Sequence, residues 1–219
     1  MWSAEVTEMI ITGVWETICM TLVSTIAGYA FGLPLGILLK ISDKEGLKPN
    51  AVLYKILDAV TNIFRSIPFI LLLILLIPLT RIIVGRSYGT AATIVPLTIA
   101  AIPFIGRMVE SSLNEVDAGV IEAASAMGAS NWQIVWKVML VEARTSLISG
   151  ATIVIGTILG YTAMAGAVGG GGLGAIAIRY GYNRWEFDIM IVTVALMIIL
   201  VQVLQSLGMH LAGRLDKRK

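Results

Sequence analysis

The stretch 115–143, which reads EVDAGVIEAASAMGASNWQIVWKVMLVEA and includes Glu122, Ala123, Ala124 and Gly128, carries the most information. Asp117 can cap a first short helix running to about Met127, and Gly128 is suited to end it. Ser130 can cap a second helix, with Gln133 three residues on as the return arm of a capping box. Trp132 and Trp136 share one face of that second helix, with Lys137 beside them. The first helix has a face of small residues: Ala118, Gly119, Ala123, Ala124 and Ala126. Small side chains let another backbone approach, and such a helix can lie in a groove of a partner protein. The other reading is an amphipathic helix on a membrane surface, which calls for Lys or Arg on its polar face. The first helix carries Glu122 and no cation, which favours docking.

Other residues narrow the chemistry by exclusion. The run Gly169–Gly174 is glycine-rich but lacks the Gly-Lys-Ser/Thr that cradles phosphates, so ATP chemistry must come from another chain. His210 stands alone as a solvated interfacial residue, and no His/Cys/carboxylate cluster has metal spacing. Cys19 falls in an apolar run and reads as a small core residue. Tyr161 and Met164, three apart in a run with Thr157, Gly160, Thr162, Ala165 and Gly166, share a helix face. In a symmetric dimer that face could line a central gate, and a polarisable thioether suits a thioether substrate. Ordinary packing against lipid or another helix fits the same pattern.

The elements that position these residues are membrane spans. The chain has 219 residues, 57% hydrophobic and 14% charged, with a mean hydropathy of +0.88. A soluble domain carries about 25% charged residues. In water such a chain would expose large apolar patches, and a bilayer removes the problem. Net charge of +2 implies no strong pull on nucleic acid. No Lys or Arg precedes the first apolar run, so no cleaved signal peptide is expected. Five windows are long enough to cross: about Val14–Leu39, Ile63–Ile83, Ala91–Met108, Leu147–Val168 and Phe187–Leu207. An odd number of crossings puts the ends on opposite sides. Lys40, Lys44, Lys48, Lys55, Arg107, Lys137, Arg144, Arg214, Lys217, Arg218 and Lys219 all fall on one side if the tail is cytoplasmic. Only Arg81, Arg86, Arg179 and Arg184 fall on the other. Basic residues favour the cytoplasm, so the tail is expected inside and the N-terminus outside. Trp15 and Trp185 then anchor at the outer interface. Glu16 falls near the outer end of the first span and Arg65 near the inner end of the second, both within reach of water. The other reading of Arg65 is an ion pair with Asp58 or Glu110. Pro34, Pro68, Pro78, Pro96 and Pro103 lie in or beside spans, and broken helices are common where a membrane protein lines a pathway.

Glu122-Ala123-Ala124 followed by Gly128 resembles the EAA loop of permease subunits of bacterial ABC importers. Val138 and Leu140 fit the continuation of that pattern, whereas Val141 stands where the family has Pro; the start of the fourth span is therefore expected to be less sharply defined. The stretches 62–68 (NIFRSIP), 95–98 (VPLT), 103–110 (PFIGRMVE), 160–164 (GYTAM) and 166–174 (GAVGGGGLG) are similar to the methionine-importer branch. The resemblance covers nearly the whole chain. It implies an all-α, five-helix permease forming a single transmembrane domain over residues 1–219, with a cytoplasmic coupling loop at about 115–143. It implies a homodimer in the bacterial inner membrane and no catalytic residues. Two ATPase subunits, holding ATP and Mg, would dock on Glu122, Ala123, Ala124 and Gly128. A periplasmic binding (lipo)protein would deliver L- or D-methionine, or another small amino acid or polar solute. A nucleotide-independent secondary transporter and a membrane scaffold are the competing readings. The first lacks mid-membrane acids and inverted repeats here; the second has no need of so many helix breakers.

Overall fold

The computed structural model describes residues 4–215, all side chains but that of Leu215 included. Lys217, Arg218 and Lys219 of the expected basic tail lie outside the described residues, as do the first three residues of the chain. Helix α1 (Ala4–Ser42) is 39 residues long, ten residues longer at its start than the hydropathy window. At 1.5 Å per residue it is about 58 Å long, well beyond a hydrocarbon core of about 30 Å. A tight turn follows, closed by Lys48 N–H donating to Ile41 O (3.0 Å) and Asn50 N–H donating to Ser42 O (2.9 Å). Asn50 then caps α2 (Ala51–Ser66), its Oδ1 accepting from Leu53 N–H at 3.0 Å.

Helix α5 (Thr90–Asn114) packs against α1 at very short range. Gly28, Gly32 and Gly36 recur every fourth residue on α1 and meet Ala101, Ile105 and Val109. The partners step by four in the same sense, so the two helices run parallel. A Cβ at Gly32 would fall 2.7 Å from Ile105 Cβ, and one at Gly28 would fall 2.7 Å from Ala101 Cβ. This is the small-residue seam by which membrane helices associate when lipid supplies no hydrophobic drive.

The second crossing differs from the expected window. It is α2 together with α3 (Phe69–Leu75), bent by 101° at a break around Ile67-Pro68, and then the short α4 (Ile77–Val84). It starts at Ala51, whereas the window starts at Ile63. Hydropathy misses α2 because one of its faces is polar. Pro68 removes a backbone donor and disfavours helical geometry in Ile67, which is extended (φ −76°, ψ 122°). Pro34, Pro96 and Pro103 lie inside helices that continue through them.

Helix α6 (Ala118–Ala126) and α7 (131–142) form the inner segment. Helix α8 (Arg144–Ala165) crosses back and ends in a 3₁₀ turn, Gly166–Val168. The glycine run then folds inward on α1. Gly172 N–H donates to Glu16 Oε2 at 2.7 Å, and Leu173 N–H donates to Thr17 Oγ1 at 2.9 Å. Helix α9 (Gly172–Ile176) continues as a π-helical stretch, Ala177–Tyr182, and α10 (Phe187–Leu215) makes the last crossing. Among the described residues, four helical stretches are long and apolar enough to cross a membrane by length and composition, and the bent pair makes a fifth. The core is Met20, Leu97, Ile105, Val109, Leu113, Met139 and Ile158 with their neighbours. The outward face of α10, with Ile191, Ile198 and Leu207 each more than half exposed, is apolar and suited to lipid.

Candidate functional site

The inner segment is built as its residue types demand. Asp117 Oδ1 accepts from Gly119 N–H at 2.7 Å and caps α6. Gly128 takes φ +81°, a left-handed value that a side chain resists, and turns the chain. Ala129 N–H donates back to Ala124 O at 3.1 Å across that turn. Ser130 and Gln133 form a complete capping box: Gln133 N–H donates to Ser130 Oγ (3.4 Å) and Ser130 N–H to Gln133 Oε1 (2.8 Å). Trp132 and Trp136 pack on each other with ring centroids 5.2 Å apart. Beyond them α7 widens into a π-helical stretch, Ile134–Met139. The start of α8 is blurred: Ala143 N–H donates to Met139 O (2.9 Å) and Leu147 N–H to Ala143 O (2.8 Å), so helical bonds run through the join.

The four segment residues do not share one face. Glu122, Ala123 and Gly128 are exposed. Ala124 is only 6% exposed and belongs to the core cluster with Leu113, Ile134 and Met139. This corrects the expectation that Ala124 belongs to an outward small-residue face; its small size seats α6 on the chain's own body. The outward surface instead presents Ala123 with Val120, Met127 and Trp132, all exposed.

Tyr161 and Met164 also have different surroundings. Tyr161 is half-buried and stacks on Phe69 of α3, with ring centroids 4.3 Å apart and planes within 1°. Met164 is 49% exposed.

A polar network joins α2 to α5. Arg107 donates to Glu110 (2.6 Å), to Asn62 Oδ1 (3.1 Å) and to Asp58, with which it forms an ion pair. The Tyr54 hydroxyl donates to Glu110 Oε1 at 3.2 Å. Asp58 and Glu110 thus serve Arg107, and the expected alternative pairing with Arg65 is not found. At the other end, Glu16 is held by the glycine run beside an open cavity of about 470 Å³ lined also by Glu8, Gly171, Arg179 and Tyr180.

The family model of the binding-protein-dependent transport system inner membrane component matches residues 32–219. The chain belongs to this family. Among relatives of this inner membrane component, a probable D-methionine transport system permease protein MetI from Vibrio cholerae is 48% identical over 217 residues, covering 99% of this chain and 96% of that protein. The D-methionine permease MetI of Escherichia coli K12 is 52% identical over 158 residues, 72% of this chain and 73% of that one. A solved structure of the MetNI methionine ABC transporter in an inward-facing conformation superposes with a TM-score of 0.97 at 47% identity, covering 99% of this chain and 100% of that chain. An amino acid ABC transporter shares the fold at a TM-score of 0.78 and 18% identity.

Proposed function

We infer that this chain is the membrane-spanning permease subunit of an ATP-driven importer for methionine. The observation that carries the reading is the near-complete superposition on the MetNI methionine transporter chain at 47% identity. The inner segment adds physical support. Val120, Ala123, Met127 and Trp132 form an exposed apolar surface on a segment that is otherwise capped and packed against the chain's own core. Such a surface fits a groove on an ATPase subunit, which would hold the ATP and Mg that this chain has no motif to bind. Glu122 and Gly128 flank that surface. Two copies of this chain pair as a homodimer, with two ATPase subunits on the cytoplasmic side and a substrate-binding protein outside. Lys40 in the last turn of α1, with Lys44 and Lys48 between α1 and α2, lies on the same side as the docking segment, which supports a cytoplasmic placement of both, with the N-terminus periplasmic.

The docking test is Ala123→Glu. A carboxylate buried without a partner weakens an interface by about 1–3 kcal/mol, so recovery of the ATPase with the solubilised permease should fall about tenfold or more. Full recovery with normal ATP-driven uptake would remove this surface from the interface. Met164, exposed near the end of α8, is assigned to the pathway together with Tyr161. Met164→Ala should change uptake or the ATP hydrolysed per methionine moved, and wild-type values for both would remove it.

A further inference from the structure

The polar residues of α2 point to a second feature of the pathway. At 100° per residue, Tyr54, Lys55, Asp58, Thr61, Asn62, Arg65 and Ser66 fall within an arc of about 140°, while Val52, Leu53, Ile56, Val60, Ile63 and Phe64 occupy the opposite side. The apolar side is exposed, as a lipid-facing side should be. A polar stripe on a crossing helix faces either protein or water, because hydrocarbon penalises it. The inner half of the stripe faces protein, where Tyr54, Asp58 and Asn62 meet Glu110 and Arg107 of α5. The stripe then continues to Arg65, where that contact has ended.

Arg65 lies well along the crossing and not at its inner end. Seven and three residues before it, Asp58 and Asn62 meet Arg107 in the inner half of α5. Four residues after it, Phe69 stacks on Tyr161, which is four residues from the far end of α8. Between these two fixed levels, Arg65 is exposed and makes no side-chain hydrogen bond or ion pair among the described residues. The carboxylates nearest along its stripe are engaged by Arg107. One turn below it Thr61, 1% exposed, has a hydroxyl with no partner. The break at Ile67-Pro68 follows at once, and broken helices are tolerated at such depth where they line a cavity.

We propose that Arg65 lines the translocation path and binds the carboxylate of the amino acid in transit. A guanidinium offers a fork of donors matched to a carboxylate. Arg65 is a cation without a partner among the described residues, on the side of α2 that avoids lipid, and Tyr161 and Met164 lie toward the same end of the crossing. This inference rests on the transport reading above, and its test separates the two.

The test uses the whole importer, this chain with its ATPase and binding protein, carrying Arg65→Cys and Cys19→Ser. The complex is treated from the water phase with a cationic or a neutral methanethiosulfonate and reconstituted, and labelled methionine uptake is measured. Arg65→Cys should label readily. The cationic adduct should restore uptake about tenfold over the neutral one, the difference expected for one charge-assisted hydrogen bond. Absence of labelling would mean a lipid-facing side chain and would overturn the proposal. Equal uptake with both adducts would overturn it as well. Failure of both Arg65→Cys and Arg65→Lys to assemble would assign Arg65 to folding alone and would likewise overturn it. Labelling is independent of substrate. A wild-type complex that takes up no methionine would instead count against the transport reading.

Discussion

At the scale of single residues, burial decides roles that residue type leaves open. Ala123 and Ala124 are the same residue, adjacent, in one short helix, yet one faces outward and the other is locked in the core. Their glutamate variants should therefore fail differently. Ala124→Glu places a charge in the chain's own interior and should destabilise the fold by several kcal/mol, seen as a lower unfolding temperature of the isolated permease. Ala123→Glu should leave that temperature unchanged and weaken only ATPase association. The same temperature for both variants would contradict the assignment of faces. Glu110 offers a third residue-level test. It is 6% exposed and accepts from both Arg107 and Tyr54, so Glu110→Ala should cost about 1–3 kcal/mol by stranding two donors, measured as thermal unfolding in detergent. The distant partner of Arg107 is not legible in the sequence, unlike Glu110 three residues on. Asp58 lies far along the chain from Arg107, and nothing local marks the pair.

At the scale of elements, what was legible depended on how local the cause is. The Ser130–Gln133 box, the Asp117 cap and the turn at Gly128 involve residues within a few positions of one another, and all three form as their spacing implies. The crossing of α2 and α3 starts earlier than its window for the opposite reason. A hydropathy window averages over both faces of a helix and so discards a strongly two-sided one. The inner half of the polar side of α2 is tolerated because Arg107 of α5 engages Asp58 and Asn62, which is a tertiary fact. The fold-back of the glycine run was also hidden, since the carboxylate that holds Gly172 comes from Glu16 in α1. The α1–α5 seam did leave a signal, in Gly28, Gly32 and Gly36 at four-residue spacing. Gly32→Leu should separate those helices. Overpacking of this kind costs about 1–3 kcal/mol or more, and the expected readout is loss of monodisperse protein after solubilisation. Normal yield and unfolding temperature would show that the seam is not close-packed in the membrane.

At the scale of the whole molecule, one architecture joins the two ends of the crossing. The inner segment is packed onto the core through Ala124, Ile134 and Met139, so a push on α6 and α7 reaches α5 and α8 directly. Helix α8 carries Tyr161 against Phe69, and α3 continues into the break beside Arg65. With an ATPase docked as proposed, the packed inner segment and the broken crossing would be the parts that convert docking below into opening above. The most direct measurement is uptake of labelled methionine into proteoliposomes holding this chain, its ATPase and its binding protein, with ATP either inside or absent. Accumulation against a gradient is expected only with internal ATP and only with the binding protein present, and should be lost with Ala123→Glu. Accumulation that persists without ATP, or that follows an imposed ion gradient, would contradict the ATP-driven reading.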